Sequence, residues 1–141
     1  MKYSRRDLSL LATVLLAASK ARAAEDSRIP TTVINRDEVD TVKSNQVLHK
    51  QFFGGATHEG VPVRVMETEL AAGEGPHPPH KHIHEEIALV REGTLDVFIE
   101  GRGTKRLTAG GLVYVASNQL HGWKNPVTTR ARYFVVAIGN D

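Results

Sequence analysis

The chain contains no cysteine among its 141 residues. A disulfide framework, a zinc–thiolate site and a thiol nucleophile are therefore excluded. Aromatic residues are scarce, at 6% of the sequence, whereas 12 glycines are present, a composition that suits many short strands joined by tight turns. We find no serine triad, and the glycine-rich stretches lack the spacing of a phosphate-binding loop.

The excess of positive charge belongs to the start of the chain. The formal net charge of the whole sequence is +2. Removing the five basic residues and one acidic residue of the first 23 leaves 13 basic and 15 acidic residues in 24–141, a net charge of −2. No basic stripe interleaved with aromatic residues remains, so we expect no nucleic-acid partner.

Residues 1–23 have the features of an export signal. A basic start precedes the apolar run Leu8–Ala18, which is shorter than the about 20 residues that span a bilayer, and Ala21-Arg22-Ala23 predicts cleavage before Ala24. The segment Ser4–Leu8 resembles a twin-arginine signal, with Leu8 in place of the commoner Phe. We expect a periplasmic or secreted protein without a stable membrane anchor after cleavage. An ordinary secretion signal or an uncleaved amphipathic anchor is the alternative.

The rest of the chain is read as an N-terminal arm, residues 24–44, followed by one strand-rich domain, residues 45–141. In the arm, Thr32–Ile34 is a strand candidate and Asp37–Asp40 a turn or a single helical turn. Val63 and Val65 alternate with Arg64 and Met66, the period of a sheet with two unlike faces. We find no convincing amphipathic helix, and regularly spaced short strands predict an all-β sandwich or barrel. The predicted strands are 46–53, ending at Gly54-Gly55, then 61–70, 87–90, 94–100, 105–108, 112–115, 120–124 and 131–138.

A histidine-rich tract lies between two of these strands. His80 and His82 are two residues apart, so in an extended chain their side chains point the same way. Glu86 follows four residues later and can reach the same ion if the chain turns at 83–85. A mixed histidine and carboxylate shell suits Fe, Mn, Ni, Zn or Cu as the divalent ion. A surface loop rich in His and Pro that binds metals non-specifically is the alternative.

The tract resembles the first motif of the cupin superfamily, which reads His-x-His, three or four residues, Glu, six residues, Gly. The match is to His80, His82, Glu86 and Gly93. The glycine that begins this motif, with five residues between it and the first histidine, is not matched, because Gly75 is one residue too close to His80 and Gly73 one residue too far.

The second cupin motif, Gly, five residues, Pro-x-Gly, two residues, His, three residues, Asn, is matched with two exchanges. Gly110, His121 and Asn125 have the required spacing. Ala116 replaces the proline and Asn118 the glycine; asparagine is the non-glycine residue that best tolerates a left-handed turn.

The resemblance implies a double-stranded β-helix, a conical jelly-roll barrel that pairs as a homodimer. It also implies four metal ligands, His80, His82, Glu86 and His121. Three imidazoles and one carboxylate leave one or two coordination positions open, as in catalytic sites. His121 also has independent support, since it follows a turn and can close the site from across a barrel.

Trp123 is two residues from His121, so we expect it to share the same face and to line a substrate pocket. Core packing is the alternative. His77 is predicted to be a rim residue, and His84 either a residue near the ion or an alternative ligand. Weaker pocket candidates are Phe98, Met66 and Tyr133; Glu74, Glu85 and Arg64 are candidates for the mouth; His49 and His58 are expected to have no role.

The leading functional hypothesis is a metal-dependent enzyme that acts on a small organic molecule. By resemblance, the reaction types include dioxygenases, decarboxylases, isomerases and lyases. A non-catalytic periplasmic module that binds a metal or a small ligand is the alternative, and a barrel with a purely structural metal is a third option.

Overall fold

A computed structural model describes residues 28–44 and 47–140. The predicted export signal and its cleavage site lie outside the described residues. Within them, no helix is long and apolar enough to cross a membrane. The elements in chain order are a 3-10 helix, Arg36–Glu38, and the strands β1 Val42–Ser44, β2 Val47–Ala56, β3 Pro62–Leu70, β4 Glu85–Glu92, β5 Thr94–Ile99, β6 Gly103–Thr108, β7 Leu112–Val115, β8 His121–Lys124 and β9 Ala131–Ile138.

The strands form two antiparallel sheets. The larger has the order β1-β2-β3-β9-β4-β7, and the smaller has the order β6-β5-β8. Apolar side chains from both sheets pack into one core that includes Leu70, Val90, Leu95, Val115 and Tyr133, all at most 1% exposed. The all-β jelly-roll fold predicted from the sequence is thus confirmed.

The chain crosses from the larger sheet to the smaller one at Gly93, between β4 and β5. Gly93 has φ +81°, and a Cβ atom there would lie 2.6 Å from the carbonyl oxygen of Arg130. Only glycine fits this corner without moving the backbone. The glycine at this position of the first motif is therefore a requirement of the fold.

The alternation predicted for the β3 segment is present and separates the inside of the barrel from the outside. Arg64, Met66 and Thr68 line an internal cavity. Glu67 has the opposite parity and contacts arginines outside the cavity. Since successive side chains of a strand alternate between faces, β3 contributes one face to the cavity and one to the exterior.

Two predictions on the secondary structure are wrong. Residues 32–34 form no strand, and Val33 is 91% exposed, because this part of the arm has no ladder partner; the arm pairs instead through Arg28 with Ala56 and through β1 with β2. β2 also continues through Gly54-Gly55. Both glycines keep their backbone groups in register with β3, and this pairing outweighs their low strand propensity.

The remaining predicted strands are all present, although β4 and β6 are longer than predicted. β7 and β9 begin and end at the predicted residues, and a helical turn is present at Arg36–Glu38. A carboxylate oxygen of Glu38 accepts a hydrogen bond of 2.8 Å from the backbone N–H of Asn35, which satisfies a donor at the start of this turn.

Candidate metal centre

His80 and His121 come together across the end of the smaller sheet. Their backbones form an isolated antiparallel bridge, with hydrogen bonds of 2.9 and 3.1 Å between the N–H of each and the carbonyl of the other. Their rings are 5.0 Å apart, and His121 is fully buried. The bridge places two of the four predicted ligands side by side although they are 41 positions apart in sequence.

His82 is fixed by the loop between β7 and β8. Its carbonyl accepts a hydrogen bond of 2.8 Å from the N–H of Asn118, which has φ 60°. The left-handed turn predicted at Asn118 is therefore present, and it holds the His82 backbone against this loop. Residues 81–84 are not a regular strand, but exposure still alternates, with Lys81 and Ile83 exposed and His82 and His84 more buried.

Glu86 comes from the opposite sheet. It lies in β4, paired with Val115 of β7 and Ala137 of β9, and it is only 7% exposed. One carboxylate oxygen, Oε2, lies 3.0 Å from Nε2 of His82 and 3.2 Å from Nε2 of His121. The two sheets of the barrel thus deliver carboxylate and imidazole groups to one point.

The tautomers of these two histidines follow from their other contacts. Nδ1 of His82 lies 2.8 Å from the carbonyl oxygen of His84, and Nδ1 of His121 lies 2.9 Å from that of Gln119. A carbonyl only accepts, so each Nδ1 carries the proton and each neutral ring presents a lone pair at Nε2. Both lone pairs face the carboxylate of Glu86, an arrangement that requires a proton or a metal cation between them.

The site perturbs the pKa values of its members in different directions. Burial, reinforced by the neighbouring histidines, lowers the pKa of His80 to about 4. Burial also opposes the charged form of His121, but the hydrogen bonds to Glu86 and the Gln119 carbonyl outweigh it and raise that pKa. Burial of Glu86 acts to raise its pKa, but the hydrogen bonds with both imidazoles outweigh this effect and lower the pKa.

The residues present fit a metal ion. The ligating atoms of His80, His82 and His121 all lie within 4.8 Å of one another, as do those of His82, His84 and Glu86. Nδ1 of His80 is buried and has no hydrogen-bond partner among the described residues. A neutral imidazole with an unsatisfied buried nitrogen is suited to ligating a cation, so this histidine and glutamate group could hold an ion.

His84 lies next to the cluster, as the sequence allowed. It is buried, and its ring stacks on that of His82 with centroids 3.6 Å apart and an angle of 8°. The ring either supports the orientation of His82 or offers an alternative ligand next to Glu86. These are the two roles that the sequence left open for it.

A cavity of about 230 Å³ adjoins the cluster. Its apolar wall includes Met66, Trp123, Tyr133 and Val135. The mouth includes His77, which is exposed and whose ring lies 4.1 Å from that of His80. The expected position of His77 at the rim is confirmed.

Trp123 belongs both to this wall and to the core. It is 6% exposed, its ring lies 5.4 Å from that of His121, and its indole N–H donates a hydrogen bond of 2.9 Å to the hydroxyl of Tyr133. Trp123 therefore both lines the cavity and packs in the core. Its ring is a rigid wall of the cavity because its polar atom is already satisfied inside the barrel.

One of the weaker pocket candidates and two of the candidates for the mouth do not line this cavity. Phe98 points to a different surface of the smaller sheet, in a groove with Asp96 and Lys124. Glu85 has the opposite parity to Glu86 in β4 and accepts a hydrogen bond from Tyr114. Glu74 is absent from the cavity wall; its carbonyl accepts a hydrogen bond from the N–H of Asn125. Parity within the strands and the position of the loop explain these corrections.

His49 was missed. It lines the cavity and lies 3.2 Å, Nδ1 to Oγ1, from Thr68, its cross-strand neighbour. The signal was available in the alternation of β2, because His49 has the same parity as Val47, which is buried. His58, by contrast, is an exposed turn residue, as expected.

Asn125, the last residue of the second motif, has a structural task. It is fully buried, and its side-chain amide donates hydrogen bonds to the carbonyls of Ala71 at 2.9 Å and Thr129 at 2.7 Å. These bonds join the loop that precedes the histidine tract to the end of β8. Asn125 therefore helps to set the position of the tract without contacting the cluster.

A sequence profile of the cupin domain matches residues 66–137, about half of the chain. This range runs from the middle of β3 to the last but one residue of β9 and includes all four predicted ligands. No curated protein sequence matches the chain.

Solved structures with the same fold include enzymes. An RmlC-like cupin from Shewanella frigidimarina has a TM-score of 0.65 at 18% identity, over 79% of this chain and 93% of that chain. The polyketide cyclase RemF from Streptomyces resistomycificus has a TM-score of 0.63 at 19% identity, over 79% and 81%. A predicted oxalate decarboxylase from Thermotoga maritima has a TM-score of 0.64 at 18% identity, over 77% and 100%.

Proposed function

Since the chain belongs to the cupin superfamily, we propose that it binds one divalent transition metal through His80, His82, Glu86 and His121 and acts as an enzyme on a small organic molecule. One observation carries the proposal: the Nε2 lone pairs of His82 and His121 face the same carboxylate oxygen of Glu86, at 3.0 and 3.2 Å. The two lone pairs and the carboxylate oxygen repel one another, and a cation at this point would bind all three as ligands.

The protein's part in the chemistry follows from its own residues. The carbonyls of His84 and Gln119 hold two imidazoles in the tautomer that ligates through Nε2, and the apolar wall keeps bulk water from one side of the cavity. A bound ion would supply Lewis acidity at its open coordination positions. The small cavity restricts the substrate to a small molecule. A dioxygenase, decarboxylase, isomerase or lyase reaction is compatible with this arrangement.

A non-catalytic module that binds a metal or a small ligand is the second candidate function. Among the described residues that line the cavity, Glu86 is the only carboxylate, and it is already committed to the cluster. The lining that the structure describes therefore offers no second carboxylate for proton transfer. Turnover of organic acids, phenolics or sugars by the metal-loaded protein would separate an enzyme from a binding module.

The test of the proposed site is elemental analysis of protein purified without an affinity tag or added metal. We expect about one equivalent of Fe, Mn, Ni, Zn or Cu in the wild type and its loss in His121→Ala. His58→Ala is the matched control, because it removes an exposed histidine from a distant turn. Full occupancy in His121→Ala, or no metal in the wild type even after reloading, would refute the site.

Export of the protein and its assembly as a homodimer are further parts of this proposal. We propose that residues 1–23 direct export by the twin-arginine route. Changing Arg5 and Arg6 to Lys should then trap the precursor in the cytoplasm, whereas unaffected export would indicate the ordinary secretion route.

We also propose that the protein forms a homodimer. Apolar residues that are cross-strand neighbours on the outside of the barrel support this proposal. Leu89 of β4 and Leu112 of β7 are direct partners and are 40% and 56% exposed. Light scattering on the purified protein gives the oligomeric state.

A further inference from the structure

We propose that His49 binds the ligand of the cavity by donating a hydrogen bond from its Nε2–H to a ligand oxygen, and that Thr68 and Tyr133 hold its ring in this tautomer. The inference rests on the proposed function, because the ligand lies in the cavity beside the proposed metal. It adds a ligand-binding residue outside the cupin motifs and a chemical class for the ligand, a small molecule with a carbonyl or carboxylate oxygen.

A row of three polar side chains crosses the inner face of the larger sheet. His49 in β2 is the direct partner of Thr68 in β3, and Thr68 is the direct partner of Tyr133 in β9. All three line the cavity. Thr68 is 2% exposed and Tyr133 is 1% exposed, so the hydroxyl groups of these two residues need hydrogen-bond partners inside the barrel.

The row begins at a group that can only donate. The indole N–H of Trp123, in β8 of the smaller sheet, donates a hydrogen bond of 2.9 Å to the hydroxyl oxygen of Tyr133. The Tyr133 hydroxyl is also hydrogen-bonded to the side chain of Thr68, and among the described residues these two are its partners. Because the Tyr133 hydroxyl proton is buried and the indole cannot accept it, this proton is donated to Oγ1 of Thr68.

Thr68 passes this direction on to His49. Its oxygen accepts the Tyr133 proton, so its own O–H donates to the next group, and Nδ1 of His49 lies 3.2 Å from Oγ1. An Nδ1 that accepts a proton must present a lone pair, and the neutral ring then carries its hydrogen on Nε2. Burial, together with the charge of nearby His77, lowers the pKa of His49, so the ring is neutral at neutral pH.

His49 therefore differs from the histidines of the cluster in the atom that it offers. His82 and His121 carry their protons on Nδ1 and direct Nε2 lone pairs at Glu86. Nε2 of His49, at the end of the ring away from the backbone, carries a proton and has no hydrogen-bond partner among the described residues. His49 is also in neither group of candidate metal ligands. The cavity thus has lone pairs for a cation at the cluster and a donor for a ligand at His49.

The ligand that fits this donor has an oxygen acceptor and an apolar body. Met66, Trp123 and Val135 provide apolar wall. The cavity volume, about 230 Å³, is below the about 300–1,000 Å³ usual for pockets of drug-sized ligands, so a single ring or a short carbon chain fits. A ligand without an acceptor would leave the N–H of His49 unpaired against it, which costs binding energy. The donor therefore selects carbonyl or carboxylate compounds.

Nuclear magnetic resonance of the histidine ring nitrogens, recorded at neutral pH on isotope-labelled, metal-free protein, tests the tautomer. We expect His49 to have a protonated Nε2 and an unprotonated Nδ1. His58, at an exposed turn, is the matched control and should show a mixture of both tautomers. Thr68→Val removes the donor at similar shape and should return His49 to this mixture, and Tyr133→Phe should act in the same direction. A wild-type His49 protonated on Nδ1, or with the same mixture as His58, would overturn the proposal.

Acetophenone and α-methylstyrene test the contact with the ligand, because they share ring and shape and differ by a carbonyl oxygen in place of a methylene group. Both are titrated into zinc-loaded wild type, His49→Gln and His49→Leu. We expect the ratio of their affinities to fall by about 3- to 10-fold in His49→Leu, the effect of one neutral hydrogen bond, and to be largely kept in His49→Gln, whose amide N–H₂ still donates. His58→Leu is the matched control and should not change the ratio. An unchanged ratio in His49→Leu, or no binding of acetophenone to the wild type, would overturn the proposal.

Metal content measured on the same samples separates this inference from the proposed function. His49→Leu should keep its zinc, because His49 is not part of the cluster. If the wild type takes up no zinc, the proposed metal function fails, and the titrations are made on the metal-free protein. A ratio that still depends on His49 would then support the donor site, and a ratio that does not would refute it. If the Thr68 and Tyr133 variants do not fold, the wild-type spectrum decides the tautomer.

Discussion

Two buried glutamates, Glu67 and Glu86, lie on opposite faces of the same large sheet and have different partners. Glu67 is 2% exposed and Glu86 is 7% exposed. Glu67 lies 2.5 Å from Nε of Arg36 and 2.6 Å from Nη1 of Arg91, so each oxygen has a permanently charged donor. Glu86 instead faces the Nε2 atoms of two imidazoles, and the protons of these rings, on Nδ1, are directed to backbone carbonyls.

The difference shows that burial alone does not mark a functional carboxylate. An arginine pair neutralises Glu67 completely, and this cluster ties the N-terminal arm, through Arg36, to β3 and β4. Imidazoles neutralise Glu86 only when they are protonated, so its site is open to a competing cation. The identity of the partner, and not the depth of the carboxylate, separates a structural clamp from a candidate metal centre.

The largest expected effect is on metal affinity when Glu86 is neutralised. Loss of a residue that merely orients a ligand costs about 10–100-fold in affinity, so Glu86→Gln, which removes a ligand charge, should weaken binding by on the order of 100-fold or more. The metal-free variant should be at least as stable as the wild type, because the amide can donate to an imidazole Nε2. Competition with a chelator gives the affinity. A Glu86→Gln protein with wild-type affinity would contradict the comparison.

The matching change outside the barrel should affect stability and leave metal binding alone. Glu67→Gln places an amide N–H₂ next to a guanidinium and should lower the free energy of unfolding by about 1–3 kcal/mol, a range reduced because the arginine side chains are 39% and 46% exposed. Urea unfolding measures the change. Glu59→Gln, at an exposed turn, is the control and should be neutral. Loss of metal in Glu67→Gln would show that the two carboxylates are coupled.

The two clusters should also differ in their response to pH. The pKa of His121 is raised, so the metal-free protein holds a proton there at a pH at which a free histidine has lost it. Metal must displace this proton, and affinity should fall by up to about tenfold per pH unit as the pH drops below that raised pKa. His80, with a pKa of about 4, should add to this loss only near pH 4. The contacts of Glu67 are to guanidinium groups and not to imidazoles, so this pH dependence belongs to the Glu86 cluster. A pH-independent affinity between pH 8 and 5 would contradict the assigned protonation.

The smallest expected effect concerns the wall behind the cluster. Trp123→Phe keeps an aromatic ring but removes the hydrogen bond to Tyr133, at a cost of about 1 kcal/mol or somewhat more. Metal content should be unchanged, because Trp123 offers no ligand atom. Thermal unfolding and elemental analysis check the two parts. Loss of metal together with retained stability would mean that the indole has a more direct part in the site.

Much of the architecture was predictable because it depends on local patterns. The period of two in β3 separates Arg64 and Met66 from Val63 and Val65 wherever the strand lies. A corner glycine at 93 and a tolerant asparagine at 118 are required by backbone sterics alone. The spacing of His80, His82 and Glu86 likewise brings metal-ligating groups near one another, because these residues lie within seven positions of the chain.

Other features required contacts that no local pattern contains. The arm has no strand at 32–34 because its partner strands lie elsewhere, and β2 passes through Gly54-Gly55 because β3 is beside it. Parity assigns Phe98 and His49 to one face of their strands, but which face lines the cavity depends on how the sheets close. Sequence spacing gave no sign of the contact between Arg36 and Glu67, which are 31 positions apart.

Local rules account for the alternation of polar and apolar faces along the strands, for the corner glycine and for the set of donor groups, because side-chain parity and backbone sterics act over a few residues. Which of these donors meet depends on the packing of the two sheets. Closure of two sheets brings Nε2 of His121 to 3.2 Å from a carboxylate oxygen of Glu86, 35 residues away, and it gives Glu67 guanidinium partners instead. Distances between distant strands follow from packing of the whole core, and these distances separate a candidate metal centre from a clamp.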